Sequence, residues 1–170
     1  MKLPTTFTEK IQHVNALIES PKGSRHKFVY DPDLQLFRLK RTLPAGMIMP
    51  FDFGFVPGTL AEDGDPVDIL VLMESPAFPG CVVETRVVGA IEAETQTSGK
   101  SVRNDRIIGV AAESLLFENL TSLSELNNNL LDEIIAFFKN AHQHDQKVFK
   151  PLGTCGPENA LELIKKNLAP

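Results

Sequence analysis

The stretch Glu62-Asp63-Gly64-Asp65-Pro66-Val67-Asp68 constrains this chain more than any other: four carboxylates fall within seven residues, and the apolar run Ile69-Leu70-Val71-Leu72-Met73 follows at once. Carboxylates at this density repel one another unless cations sit between them or water screens them. Gly64 and Pro66 bend and stiffen the backbone, so the acids do not splay along a flexible tail. An extended backbone would put Asp63 and Asp65 on one face, because side chains alternate along a strand. The bend at Pro66 then lets Asp68 converge on them from the mouth of the next strand. Hard oxygen donors in this pattern suit Mg²⁺, which binds through a few carboxylates and keeps waters for a phosphate substrate.

A solvated acidic turn is the commoner fate of an arbitrary Asp-Gly-Asp-Pro sequence. Here the cluster opens straight into a strand expected to be buried, which favours a metal site. An EF-hand would need Gly where Asp68 stands and an oxygen ligand where Val67 stands. An aspartyl-phosphate phosphatase motif would match Asp63-Gly64-Asp65-Pro66-Val67, but that motif ends a hydrophobic strand, whereas here the strand comes afterwards.

At 170 residues and 42% hydrophobic, the chain favours one domain, residues 1–170, with an ordinary core. The net charge of −5 argues against nucleic-acid binding, which draws on clustered Lys and Arg. No apolar run approaches the roughly 20 residues that cross a bilayer, so no membrane span is expected. The N-terminus lacks the apolar stretch of a signal peptide, and Cys81 and Cys155 read as reduced thiols, so a cytoplasmic protein is expected.

In chain order, residues 1–14 are polar and expected on the surface. Strands are expected over Val14–Ser20, His26–Tyr30 and Leu34–Lys40, the last two joined through Asp31-Pro32-Asp33. Met47 to Gly58, rich in Phe, Pro and Gly, reads as a tight buried loop. Val82 to Glu92 alternates as a long strand, with Ile107 to Ala111 as its partner. Thr95 to Arg106 between them reads as a polar loop. Its Ser98-Gly99-Lys100-Ser101 resembles the end of a P-loop, but Glu94 stands where the first Gly is required. Ser122 and Glu125 form a capping box, and Leu126, Leu130, Ile134 and Phe138 mark a helical face. Gly156-Pro157 opens a second helix with Ala160, Leu161, Ile164 and Leu168 as its face. Strands first and helices after predict an α+β fold: a small closed antiparallel β-barrel, OB-like, with two C-terminal helices packed outside.

Glu62 through Val71 resembles the signature of soluble family I inorganic pyrophosphatases, Asp-Gly-Asp-Pro-x-Asp followed by an apolar strand. Ile18-Glu19-Ser20-Pro21, Lys27, Arg41, Pro50-Phe51-Asp52-Phe53-Gly54-Phe55, Pro79-Gly80, Val88-Gly89, Asn104-Asp105-Arg106 and Phe137-Phe138 also line up, covering roughly residues 14–150. The resemblance implies Mg²⁺-dependent hydrolysis of pyrophosphate to two phosphates, a cytoplasmic location, and a homo-oligomer, often a hexamer in bacteria. It also implies roles: Asp63, Asp68 and Glu19 hold metal, Asp65 orients and deprotonates the attacking water, and Lys27, Arg41 and Arg106 bind phosphate oxygens.

The departures from the family pattern fall mainly on the substrate side. Val29 stands where the family often has an acid, and Met49 and Phe53 stand where many members have Tyr. Counting back from Arg106, the family's ligand Asp falls on Asn104, so Asp105 is expected to serve as the metal ligand by a one-residue shift, with Glu94 as the other loop carboxylate. Ala141-His142 replaces a Tyr-Lys pair; His142 is then expected to bring charge mainly at acid pH, with Lys147 or Arg106 as the substitute cation. Two other readings stand beside the enzyme. One is a family relative with the metal site but little or no catalysis, acting as a binding protein. The other, ranked last, is a hydrolase of a different phosphoanhydride.

Overall fold

The apolar run after the acidic stretch is a strand buried from Ile69 onward, and the rest of the sheet is laid around it. A computed structural model describes residues 3–169, so Met1, Lys2 and Pro170 lie outside the described residues. The strands in order are β1 (His13–Ser20), β2 (His26–Asp31), β3 (Leu36–Thr42), β4 (Asp52–Phe55), β5 (Asp68–Leu72), β6 (Val82–Thr97), β7 (Lys100–Arg103), β8 (Arg106–Ala111) and β9 (Val148–Cys155). The helices are α1 (Asn128–His144) and α2 (Pro157–Lys166).

Strands β1, β4, β5, β8 and β6 pair in that order, and β6 pairs back onto β1, so the sheet closes on itself as a small OB-like barrel. All of these pairings are antiparallel except β5 with β8, which is parallel and departs from the purely antiparallel expectation. The two strands are not consecutive; β6 and β7 lie between them and bring the chain back in the same direction. Strand β9 adds to β6, and β2 with β3 forms a separate hairpin. Helix α1 packs on β9 and α2 on β6, outside the barrel.

Successive β5 residues serve two cores. Leu70 and Leu72 pack with Phe53, Ile108 and Phe138; Ile69 and Val71 pack with Val14, Ile107 and Ile164. A strand buried on both faces reads as a continuous apolar run instead of an alternating one. Each such side chain stabilises the fold by about 1.5–3 kcal/mol. Gly54 lets β4 lie against β1: a Cβ there would sit 1.9 Å from the Leu17 carbonyl oxygen.

Several local expectations are corrected. The Met47–Gly58 segment holds strand β4, whose Phe53 and Phe55 belong to the core. Thr95–Arg106 is no open loop but a hairpin, β6 to β7, turned at Ser98 and Gly99 with φ of 50° and 80°. Two left-handed residues in a row are what a tight two-residue hairpin needs. Strand β9 was not anticipated. Within residues 3–14, Thr6 and Val14 are buried. The Ser122–Glu125 capping box is present, but it caps a single 3₁₀ turn; α1 begins instead at the Asn127 cap, whose side chain accepts from the Asn129 N–H at 2.9 Å. Helix α2 starts where Pro157 places it, with Ala160 and Ile164 buried, while Leu168 lies past its end and is exposed.

Candidate active site

The acidic stretch is a turn, not an extended segment. Gly64 takes φ 87°, its N–H donates to the Ala61 carbonyl at 3.0 Å, and the Asp65 N–H donates to Asp63 Oδ1 at 3.2 Å. Asp63 and Asp65 therefore do not share a strand face, as expected from alternation; the turn gathers them instead. The turn is pinned from behind, since the Val67 N–H donates to Thr59 Oγ1 at 2.9 Å and the Thr59 hydroxyl donates to the Val56 carbonyl at 2.6 Å. The backbone of the C-terminal tail braces the same segment, with the Leu60 N–H donating to the Asn167 carbonyl at 2.7 Å.

The acids share one electrostatic neighbourhood. Partial desolvation raises the Asp63 pKa, and the Asp68 and Asp65 charges raise it further. Glu19, on β1, is only 8% exposed, and its Oε1 accepts the Tyr30 N–H at 2.7 Å. Burial pushes its pKa up to about 7 against that hydrogen bond, with Asp68 adding to the rise. Carboxylates held this way gain from a cation. Among the described residues, no three acidic, His or Cys side chains already converge on one point. The donor set nonetheless fits the chemistry of a hard divalent ion: oxygen ligands only, with negative charge in excess.

A basic wall faces these acids. Arg106 is 3% exposed, and its Nη1 meets Asp68 Oδ2 at 2.5 Å. The same nitrogen donates to Asn104 Oδ1, and the guanidinium lies 5.3 Å from the Phe138 ring and 5.7 Å from that of Phe149. Its Nε is buried with no acceptor among the described residues. Lys27 Nζ sits 5.4 Å over the Phe53 ring; burial lowers its pKa, while Asp68 opposes the fall. Arg41 is opposite Lys27 in the β2–β3 hairpin and ion-pairs with Asp145. Lys27, Arg41 and Arg106 line one pocket with Met49, Phe53, Ala141 and His142, so four of the positions that depart from the family pattern meet beside the cations, while Val29 and Asn104 lie outside it. Its free volume is about 20 Å³, room for a single water.

A larger cavity, about 350 Å³, is lined by Asp68 together with Glu62, Arg103, Asn104, Asp105 and Lys166 among others. Asp105 is mostly enclosed: its Oδ1 accepts the Ala93 N–H at 2.9 Å and Arg103 Nε at 2.7 Å. Arg103 also reaches Glu92 at 2.7 Å. Asn104 turns its amide to Thr95 Oγ1 at 3.2 Å, and Glu94 accepts from Ser101 within the hairpin at 2.8 Å. Lys147 is exposed and lines none of this.

A second expectation about the site is also corrected. His142 does not supply charge at mildly acid pH: burial lowers its pKa to about 4, with Arg106 next in effect. Its Nδ1 pairs with the Phe138 carbonyl at 2.8 Å and its ring lies 5.2 Å from Phe149. Sequence reasoning also missed Asp52, fully buried, whose two oxygens accept the Lys22 and Ala77 N–H groups at 2.6 and 2.8 Å. An Asp between two Phe on a Phe-rich segment was the available signal.

A family model described as inorganic pyrophosphatase matches residues 16–169, nearly the whole chain. The chain belongs to the inorganic pyrophosphatase family. A Synechocystis inorganic pyrophosphatase is 37% identical over 90% of this chain and 88% of its own length. The Geobacillus stearothermophilus protein is 39% identical over 96% of this chain and 95% of its own. The crystal structure of the Thermus thermophilus pyrophosphatase superposes with a TM-score of 0.88 at 36% identity, covering 98% of this chain and 94% of that one. Family membership makes sense of the two opposed walls. A pyrophosphatase has to bring cations and a highly charged anion to one place, and Asp68 of the acidic stretch pairs with Arg106, which shares a pocket with Lys27 and Arg41.

Proposed function

We propose that this protein is an enzyme, an inorganic diphosphatase that hydrolyses pyrophosphate to two phosphates with divalent metal ions, Mg²⁺ in particular. The observation that carries this reading is the contact of the two walls at Asp68, where an acidic turn meets a buried guanidinium at 2.5 Å. Glu19, Asp63, Asp68 and Asp105 would hold the metal, Asp105 through Oδ2, since its Oδ1 is already bonded. Bound metal lowers the pKa of water and neutralises phosphate charge.

The chain's own residues supply the rest. Asp65 orients the attacking water and takes its proton as general base. The water oxygen bonds to one phosphorus, the bridging P–O bond breaks, and the departing phosphate leaves with the bond's electrons. Lys27, Arg41 and Arg106 grip the non-bridging oxygens and hold the substrate in line. An Arg fork suits a phosphate's paired oxygens. The same reading makes residues 1–170 one pyrophosphatase-like domain of a cytoplasmic homo-oligomer, a hexamer being the form expected of a bacterial member. Among the described residues, no helix is long and apolar enough to cross a membrane.

Phosphate release from pyrophosphate, ATP and a phosphomonoester, each with and without Mg²⁺, tests the proposal. Mg²⁺-dependent release from pyrophosphate above the other two is expected. Asp65→Asn should slow it by about 10²–10⁴, as loss of a general base does. No release from pyrophosphate by a folded, Mg²⁺-loaded protein would overturn it.

A further inference from the structure

Arg41 sits on the β2–β3 hairpin, which pairs with no strand of the barrel. Strand β2 is tied to the barrel through Glu19 and Ser20 of β1, but Arg41 is on β3, and a long side chain there needs a tie of its own if it is to meet substrate in one orientation. The tie comes from the far end of α1. Arg41 Nη1 donates to Asp145 Oδ1 and, at 3.4 Å, to the Ala141 carbonyl.

The helix terminus is shaped to receive it. Asp145 is the C-cap of α1, and its N–H turns to the His142 carbonyl at 2.9 Å. The Ala141 carbonyl is one of the last four of the helix and would otherwise lack a partner. A helix C-terminus carries partial negative charge, and Asp145 adds a full one, so both favour a guanidinium there. A guanidinium presents more than one edge. With Nη1 engaged at α1, Nε and Nη2 have no acceptor among the described residues, and Arg41 lines the pocket it shares with Lys27 and Arg106.

We propose that Asp145 is a positioning residue for Arg41, anchoring one edge of its guanidinium to α1 so that the edge formed by Nε and Nη2 is set to take two oxygens of a phosphate group. The proposal rests on the pyrophosphatase reading and adds to it a residue outside the acidic turn and the three cations. Stability is a poor explanation for the pair: the Asp145 and Arg41 side chains are 36% and 20% exposed, and pairs this open add little to folding. The bond acts instead by removing freedom from a side chain that must later bind.

The test uses the full chain with saturating Mg²⁺. Asp145→Ala should raise KM for pyrophosphate about tenfold, the scale of one weakened charge-assisted contact, with kcat within about twofold. Asp145→Glu should recover most of the loss. Asp145→Ala placed on top of Arg41→Ala should add nothing further, because the two act through one guanidinium. Equilibrium binding of imidodiphosphate, which keeps the phosphate groups but resists cleavage, should weaken in parallel. The melting temperature should not move with KM. An active Asp145→Ala protein with unchanged or lowered KM overturns the positioning role and leaves the pyrophosphatase reading intact. A parent protein that releases no phosphate overturns both.

Discussion

Arg106 and Asp68 meet at 2.5 Å across the mouth of the barrel, on neighbouring strands β8 and β5 that run parallel. Replacing Arg106 with Met keeps apolar contact with Phe138 and Phe149 but leaves Asp68 without its partner. Removing one member of a buried pair costs about 3–5 kcal/mol, and the partial exposure of Asp68 should bring this to roughly 2–3 kcal/mol in urea unfolding. Added Mg²⁺ should raise the melting temperature of Arg106→Met more than that of the parent, because the ion replaces the lost charge. Equal gains in both proteins would show that Asp68 does not take metal.

Glu19 links metal binding to pH. Its folded pKa, pushed up to about 7, lies above the ordinary carboxylate value of 4.5. In metal-free protein this favours the folded state fully below about 4.5, and the contribution is lost as pH rises through 7. Metal reverses the preference, since it binds the ionised form. Mg²⁺ affinity should therefore tighten from pH 6 to pH 8, and Glu19→Gln should flatten that rise. A titration calorimetry series at several pH values reads both; parallel curves for parent and variant would contradict the assignment.

His142 makes the opposite kind of contribution. Its folded pKa near 4 is below the unfolded value, so stability is present above about pH 6.5 and is lost as pH falls toward 4. Lys27, Arg41 and Arg106 around it all disfavour a further charge. The stability difference between parent and His142→Asn should stay level from pH 8.5 to 6.5, then move against the parent on acidification. KM for pyrophosphate should show no His142-dependent step between pH 6 and 8.5. A step that disappears in the variant would mean the ring charges in that range after all.

Asp52 holds two loops to β4 by accepting one backbone N–H with each oxygen. Asn keeps one acceptor and turns an NH₂ toward the other donor. Asp52→Asn should lose about 1–3 kcal/mol, the penalty of a buried donor left unpaired, seen as a lower urea midpoint with the slope unchanged. A variant as stable as the parent would show that water or movement of the loop satisfies the freed N–H.

What the sequence determined by itself was whatever lies in a short window. The buried strand after the acidic stretch, the Gly156-Pro157 helix start and the Asp31-Pro32-Asp33 turn are local, because propensity, proline geometry and alternation act over a few residues. The family resemblance rested on the same local motifs held at fixed spacings. Strands β4 and β9 escaped because their place is decided by partners far along the chain: β4 is held by β1 and β5, and β9 by β6. Only the tertiary structure could decide which charges meet. Residue types name Arg106, Asp68, Arg41 and Asp145 as cations and anions, but the pairs form across 38 and 104 positions of chain. The fate of His142 was also a matter of packing. Its ring carries the same intrinsic pKa in any sequence, and only burial beside Phe149 and Arg106 keeps it neutral where the sequence alone suggested a charge.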